Sequence, residues 1–119
     1  MTRQTDAVGA YGERVARRVL ALKGMTILDE NYVSAEGEID IVAWDRGFVV
    51  FCEVKTRRGG RYGQPIEAVT RAKVRRLRAA AWCWLHEHPR VRGELRFDVV
   101  SVWPQRKGPA RYLHDPDVF

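Results

Sequence analysis

The amino-acid sequence predicts an α/β protein in which helices flank a mixed β-sheet. Two segments, residues 7–23 and 66–87, repeat apolar side chains at helical spacing. Residues 38–44, 48–56 and 95–103 are rich in Ile, Val, Phe and Trp, which is typical of strands. The order helix, strands, helix, strand favours one layered domain over all 119 residues, and the 45% hydrophobic content is sufficient for its core.

The first half of the chain is punctuated by turn-forming residues. Gly24 is a natural stop for the first helix. A short strand around residues 26–28 follows, and then a polar turn at residues 34–37. The polar sequence Asp45-Arg46-Gly47 separates the next two strands, so these are predicted to form a β-hairpin.

In the second half, His88-Pro89 ends the second helix because proline cannot continue one. The strand at residues 95–103 is followed by a turn at 104–108, and residues 112–119 form either a last short strand or a tail. We expect residues 1–6 and 104–119 to be flexible or peripheral to the domain.

The charge balance favours a polyanionic partner. Lys and Arg number 21 against 15 acids, which gives a net charge of +6, and the sequence pI is about 9.8. Arginine, whose planar fork matches phosphate oxygens, dominates one stretch. The alternative for this charge run is a solvated helix face. Eight cations in that stretch are predicted to bind nucleic acid, namely Arg57, Arg58, Arg61, Arg71, Lys73, Arg75, Arg76 and Arg78.

The cysteines and the N-terminal residues point to a reducing compartment. Cys52 and Cys83 lie in apolar surroundings and form neither a disulfide framework nor a zinc spacing. Residues 1–10 lack an apolar signal core, and no apolar run approaches the roughly 18 residues that span a bilayer. We therefore expect a cytoplasmic protein without a membrane partner.

Four ionisable residues are placed together by the hairpin. If Arg46-Gly47 is a two-residue loop, counting outward sets Asp40 opposite Glu53 and Glu38 opposite Lys55. Two opposed carboxylates destabilise a sheet unless they bind a cation, and oxygen ligands suit Mg²⁺ or Mn²⁺. The alternative is a solvated hairpin with a Glu38–Lys55 salt bridge. Against it, Asp40 and Glu53 each interrupt an otherwise apolar strand.

These residues resemble a known family. Asp40 followed by Glu53-Val54-Lys55 is similar to the core of the PD-(D/E)XK nuclease superfamily, which includes restriction endonucleases and archaeal Holliday-junction resolvases. A closer resemblance, over almost the whole chain, is to the YraN-like family of small bacterial proteins. Its motifs here are Gly12-Glu13, Asn31, Gly37-Glu38-Ile39-Asp40-Ile41-Val42, Phe51-Cys52-Glu53-Val54-Lys55-Thr56-Arg57, Gly63-Gln64-Pro65, Glu67-Ala68-Val69, Lys73 and Arg96-Phe97-Asp98-Val99-Val100.

The resemblance implies a restriction-endonuclease-like core and a role for each matching residue. Asp40 and Glu53 would be metal ligands, Lys55 the catalytic lysine, and Glu13 an acid that reaches toward the metal. Gln64, like Glu38, would be an accessory residue of the site. For Glu13 the alternative is a helix-surface acid stabilised by the helix dipole.

The expected function is a Mg²⁺- or Mn²⁺-dependent endonuclease that hydrolyses phosphodiester bonds in DNA, including branched or flapped DNA by analogy with junction resolvases. The alternatives are a non-catalytic nucleic-acid-binding protein, and a subunit that acts only with a partner or as a homodimer. Asp98 is interpreted as structural, either a strand-edge acid or a partner for Arg96. The tryptophans are interpreted as core or dimer interface, with base stacking as the alternative; they are Trp82, Trp84 and Trp103.

Overall fold

The computed structural model describes residues 7–57 and 71–119. Five strands form one mixed sheet in the order β1-β2-β3-β4-β5, in which β3 and β4 are parallel and the other neighbours antiparallel. The predicted α/β class with helices on a mixed sheet is confirmed. The elements are α1 (Ala7–Leu22), β1 (Thr26–Val33), β2 (Glu38–Asp45), β3 (Phe48–Thr56), α2 (Arg71–Glu87), β4 (Glu94–Trp103) and β5 (Arg111–Asp115).

The largest difference from the predicted elements is β1, which has eight residues where a strand around residues 26–28 was expected. Polar residues interrupt its apolar pattern, and a register shift between Ile27 and Asp29 breaks the alternation on which the prediction relied. The segment at residues 112–119 contains a strand, β5, rather than only a tail. Residues 66–70 of the predicted second helix lie outside the described residues.

Each face of the sheet is covered by one helix, so the fold has three layers. Ala16 and Leu20 of α1 belong to a buried cluster with residues of β2, β3 and β4. On the other face, Trp84 of α2 is buried and meets Phe51 edge-on, with ring centroids 5.9 Å apart. Fully burying one such apolar side chain contributes about 1.5–3 kcal/mol, so the central strands form a rigid support. Within the described residues, no helix is long and apolar enough to cross a membrane.

The start of α1 lies against the end of β3. A Cβ added at Gly12 would meet the Thr56 side-chain oxygen at 1.9 Å, closer than any real contact. Only glycine permits this approach, which brings the neighbouring Glu13 to the end of the strand that carries Glu53 and Lys55.

Polar contacts fasten both helices to β1. Arg17 of α1 pairs with Glu30 at 2.8 Å, and the Trp84 indole N–H of α2 donates to Asp29 at 2.8 Å. The Tyr32 hydroxyl donates to Glu87 of α2 at 2.5 Å. The edge strand thus fixes the positions of both helices.

Candidate active site

The β2–β3 hairpin has the two-residue loop that the sequence predicted. Arg46 and Gly47 both have positive φ, at 48° and 94°, as the favoured two-residue hairpin turn requires. The pairs run from Asp45–Phe48 to Ile41–Cys52, which confirms the predicted register.

The ladder stops one pair before the candidate acids. The positions that counting outward set opposite each other, Asp40 with Glu53 and Glu38 with Lys55, are therefore not joined as backbone pairs of the ladder. Beyond Ile41 the β2 strand continues to pair with β1, whereas β3 continues alongside β4 as far as Thr56. Because the two strands follow different neighbours, they separate and leave space between them for side chains.

Asp40 bridges this separation. Its residue is 7% exposed, and its Oδ2 accepts a hydrogen bond of 2.7 Å from the backbone N–H of Val54. A carboxylate thus takes the place of a backbone acceptor from the neighbouring strand, which satisfies a donor that would be costly to leave unpaired. The bond holds Asp40 beside the residues on either side of Val54, which are Glu53 and Lys55.

Glu53 is surrounded by positive charge. Its two carboxylate oxygens lie 3.2 Å from the Lys73 ammonium and 3.7 Å from the Lys55 ammonium. The Glu53 side chain is 21% exposed and can still meet a ligand from solvent. The contact from Lys73 could not be predicted from the sequence, because it joins β3 to the first turn of α2.

The acids share a cavity at the open end of the hairpin. Its volume is about 80 Å³, and Glu38, Asp40 and Glu53 line it together with Leu77 of α2. The structure thus brings together the two predicted metal ligands and the predicted accessory acid, with Lys55 in contact with Glu53. The catalytic and ligand roles of these residues stay predictions.

The donor set fits a hard divalent cation that keeps most of its own water. In the described ranges, no group of three or more His, Cys, Asp or Glu side chains could hold a metal ion. A pair of carboxylates is nevertheless typical of Mg²⁺ sites, where water and substrate phosphate supply the remaining ligands. Asp40 and Glu53 are the residues that could hold such an ion.

The other predicted site residues are partly described. Glu13 is half-buried on α1, one residue from the Gly12–Thr56 contact. Arg57 follows β3 directly, and its backbone N–H donates to Val102 at 2.7 Å. The predicted residues Arg58, Arg61 and Gln64 lie outside the described residues. Four predicted phosphate-binding cations are exposed on α2, namely Arg71, Arg75, Arg76 and Arg78.

Asp98 also lines the cavity beside Asp40 and Glu53, and its carboxylate is held in a structural network. Two atoms of the Arg96 guanidinium donate to its carboxylate at 2.9 Å each, which confirms the predicted partnership. His114 contacts it at 2.8 Å, and the backbone N–H of Asp117 donates at 3.1 Å. Burial alone would raise the pKa of Asp98, but hydrogen bonds from His114 and Arg96 outweigh it and lower the pKa to about 2. The role of His114 was missed because β5 is distant in sequence.

The tryptophans differ in their environments. Trp84 is 1% and Trp103 is 4% exposed, as expected of core residues. The core interpretation is wrong for Trp82, which is 64% exposed on the outer side of α2. Trp82 lies two positions before the buried Trp84, which places the two rings on nearly opposite sides of the helix, and the apolar residues around Trp82 obscured this.

Comparison with known proteins supports one family. Residues 12–102 match the model described as "Uncharacterised protein family UPF0102". A UPF0102 protein of Frankia casuarinae is 49% identical over 117 residues, covering 98% of this chain and 99% of the relative. One of Kineococcus radiotolerans is 50% identical over 113 residues, covering 94% and 93% respectively. One of Beutenbergia cavernae is 49% identical over 112 residues, covering 94% and 95%.

Proposed function

This chain belongs to the UPF0102 family, the YraN-like family that its motifs indicated, and we propose that it is a metal-dependent DNA endonuclease of the PD-(D/E)XK type. One observation carries the proposal: the Asp40 and Glu53 carboxylates line one cavity at the open end of the hairpin, with Lys55 in contact with Glu53. A buried acid, a second acid and a lysine at one opening are the groups that phosphodiester hydrolysis uses.

Each residue has a distinct task. Asp40 and Glu53 would hold Mg²⁺ or Mn²⁺, which when bound supplies charge neutralisation and a more acidic water. The Lys55 ammonium orients the attacking water or stabilises negative charge that develops on the phosphate. Glu13, which α1 brings to the end of β3, orients water at the edge of the site. Gln64 is proposed as an accessory residue of the same site.

The cations around the site bind the substrate backbone. Lys73 contacts Glu53, and the exposed arginines of α2 begin two residues before Lys73. Arginine matches phosphate oxygens with two parallel hydrogen bonds, so this surface favours a nucleic-acid backbone as the substrate. Phosphate contacts position the backbone without reading sequence.

A second function is favoured by a specific observation, the ion pairs of Glu53. Two lysines already neutralise this carboxylate. A nucleic-acid-binding protein without a metal ion would need the same neutralisation. In that case the protein binds DNA without cutting it, or acts only with a partner or as a homodimer. The buried Asp40 beside Glu53 argues for the enzyme, because a second acid weakens phosphate binding unless a cation accompanies it.

The test is a cleavage panel over duplex, single-stranded, flapped and four-way-junction DNA with Mg²⁺ or Mn²⁺. Wild type is expected to cut at least one substrate, and Asp40→Asn to cut none. Glu94→Gln is the matched control, because Glu94 is an exposed acid where β4 pairs with the turn end of the hairpin. Wild type that binds every substrate and cuts none would favour the non-catalytic or partner-dependent function. Activity that survives in Asp40→Asn would identify a contaminating nuclease.

A further inference from the structure

One side of α2 combines arginines with an exposed aromatic ring. Its residues are spaced by four, three, four and four positions, which places them on a single stripe of the helix. All five are exposed, whereas the sheet-facing side of α2 contains the buried Ala80, Ala81 and Trp84. We call this surface the α2 stripe, and its members are Arg71, Arg75, Arg78, Trp82 and His86.

Trp82 is the distinctive member of the stripe. Single exposed apolar side chains are common, but this ring is 64% exposed and borders a surface depression of about 570 Å³. Cys83, Leu85, His86 and Glu87 contribute to the same depression. A flat ring beside an open depression has room for another flat ring to stack on it.

The stripe contains three arginines and no acid. The sequence from residue 71 to residue 86 contains no acid. The next acid, Glu87, accepts a hydrogen bond from the Tyr32 hydroxyl and is thereby engaged by β1. Aromatic rings among arginines are the combination with which proteins hold single-stranded nucleic acid, since every base has a face that stacks. A second copy of this chain, with a net charge of +6, is a poorer partner for such a surface.

The stripe lies on the other side of α2 from the candidate active site. Lys73, in the first turn of α2, contacts Glu53 at 3.2 Å. Trp82 is nine residues further along, which corresponds to about 13 Å of helix and about two and a half turns. A strand that extends from Glu53 to Trp82 must therefore pass around α2 as well as along it.

We propose that Trp82 stacks on an unpaired base of the substrate, so that the outer side of α2 binds a single-stranded segment of the DNA. Bases inside a duplex are covered on both faces by their neighbours and cannot stack on a protein ring. The arginines of the α2 stripe bind backbone phosphates of either form, and Trp82 supplies the preference for the unpaired form. This inference rests on the proposed function, because it takes DNA as the substrate of the Asp40–Glu53 site.

The experiment measures DNA binding by fluorescence anisotropy with a chelator present, so that cleavage does not interfere. The probes are a labelled single-stranded oligonucleotide and a blunt duplex of the same sequence. Trp82→Ala is expected to weaken single-strand binding by about five- to 150-fold, the range for one stacked base. Duplex binding should change less than twofold. Trp82→Phe keeps a ring and should retain most of the single-strand affinity.

The control is Leu22→Ala, which truncates an exposed apolar residue of α1 that is 81% exposed. It should leave both affinities unchanged. Equal single-strand affinity of wild type and Trp82→Ala would overturn the proposal, as would an equal loss on single strand and duplex. If Trp82→Ala instead changes the sedimentation coefficient of the DNA-free protein and leaves single-strand binding intact, the stripe is a contact between copies and the proposal is also overturned.

Failure of this inference and failure of the proposed function are distinguishable. If cleavage requires Asp40 but Trp82→Ala binds single-stranded DNA as tightly as wild type, the stacking role is wrong and the nuclease function stands. If the protein cuts no substrate but Trp82→Ala loses single-strand affinity as expected, the stacking role stands and the protein binds DNA without cutting it.

Discussion

The carboxylate of Asp40 accepts a hydrogen bond of 2.7 Å from the backbone N–H of Val54, across the point where β2 and β3 stop pairing. This contact explains how one hairpin can be both a stable element and an open site. The separated strands leave room for the cavity, and the Asp40–Val54 bond keeps Glu53 and Lys55 at its edge.

Asp40 should therefore have a structural role that can be measured apart from any metal. Asp40→Ala leaves the Val54 N–H without its acceptor and should lower the free energy of unfolding by about 1–3 kcal/mol. Asp40→Asn keeps an acceptor oxygen and reduces repulsion with Glu53, so its effect should be smaller. Urea denaturation with a chelator present compares the two variants. Equal losses would show that the Val54 bond contributes nothing specific.

Lys73 should compete with a metal ion for Glu53. Removing its charge with Lys73→Met frees one carboxylate oxygen and removes repulsion of the cation, so Mn²⁺ affinity should rise. A partly exposed ion pair is worth about 0.2–1 kcal/mol, which corresponds to an increase of up to about fivefold. The free Mn²⁺ signal in electron paramagnetic resonance gives the affinity, and Arg76→Met, at an exposed cation of the same helix, is the control. Unchanged or weaker Mn²⁺ binding in Lys73→Met would argue against a metal at Glu53.

The Asp98 network should make the free energy of unfolding decrease at acid pH. The pKa of Asp98 is about 2 in the folded protein, against about 3.9 for an unperturbed aspartate. Since the folded pKa is the lower one, the stabilisation is fully present above about pH 4 and is lost as the pH falls toward 2. The stabilisation that is lost between pH 4 and pH 2 amounts to about 2 kcal/mol. Urea denaturation at a series of pH values from 7 to 2 measures it.

Asp98→Asn removes the titrating group and is the informative variant. It should be less stable than wild type at pH 7, because Arg96 and His114 lose a charged partner. Between pH 4 and pH 2 it should lose about 2 kcal/mol less than wild type does. The same pH dependence in both proteins would show that other groups determine acid stability.

Much of the site could be predicted from the sequence because it lies on one hairpin. The Arg46-Gly47 loop fixes the register, and alternation then determines which of the acids can meet. The point where the ladder ends could not be predicted in this way. It depends on β2 following β1 and on β3 following β4, which are pairings between separate segments of the chain.

The contacts that escaped prediction join residues far apart in the chain. Lys73 reaches Glu53 from another element, and His114 reaches Asp98 from the last strand. The exposure of Trp82 depends on the rotation of α2 about its axis, which is set by the packing of Trp84 against Phe51 and by its bond to Asp29. Periodicity identifies the helix, but an arginine-rich helix leaves the direction of its apolar side poorly determined.

Single-turnover cleavage of labelled DNA by wild type and Glu53→Gln, in Mg²⁺, Ca²⁺ or chelator, tests whether Asp40 and Glu53 form a catalytic metal centre. Wild type should cut in Mg²⁺ and be inactive in chelator. It should bind without cutting in Ca²⁺, because Ca²⁺ is larger and less strict in geometry. Glu53→Gln should bind DNA but cut at least about 100-fold more slowly. Cleavage by Glu53→Gln at the wild-type rate, or undiminished wild-type cleavage in chelator, would show that no catalytic metal is bound at Glu53.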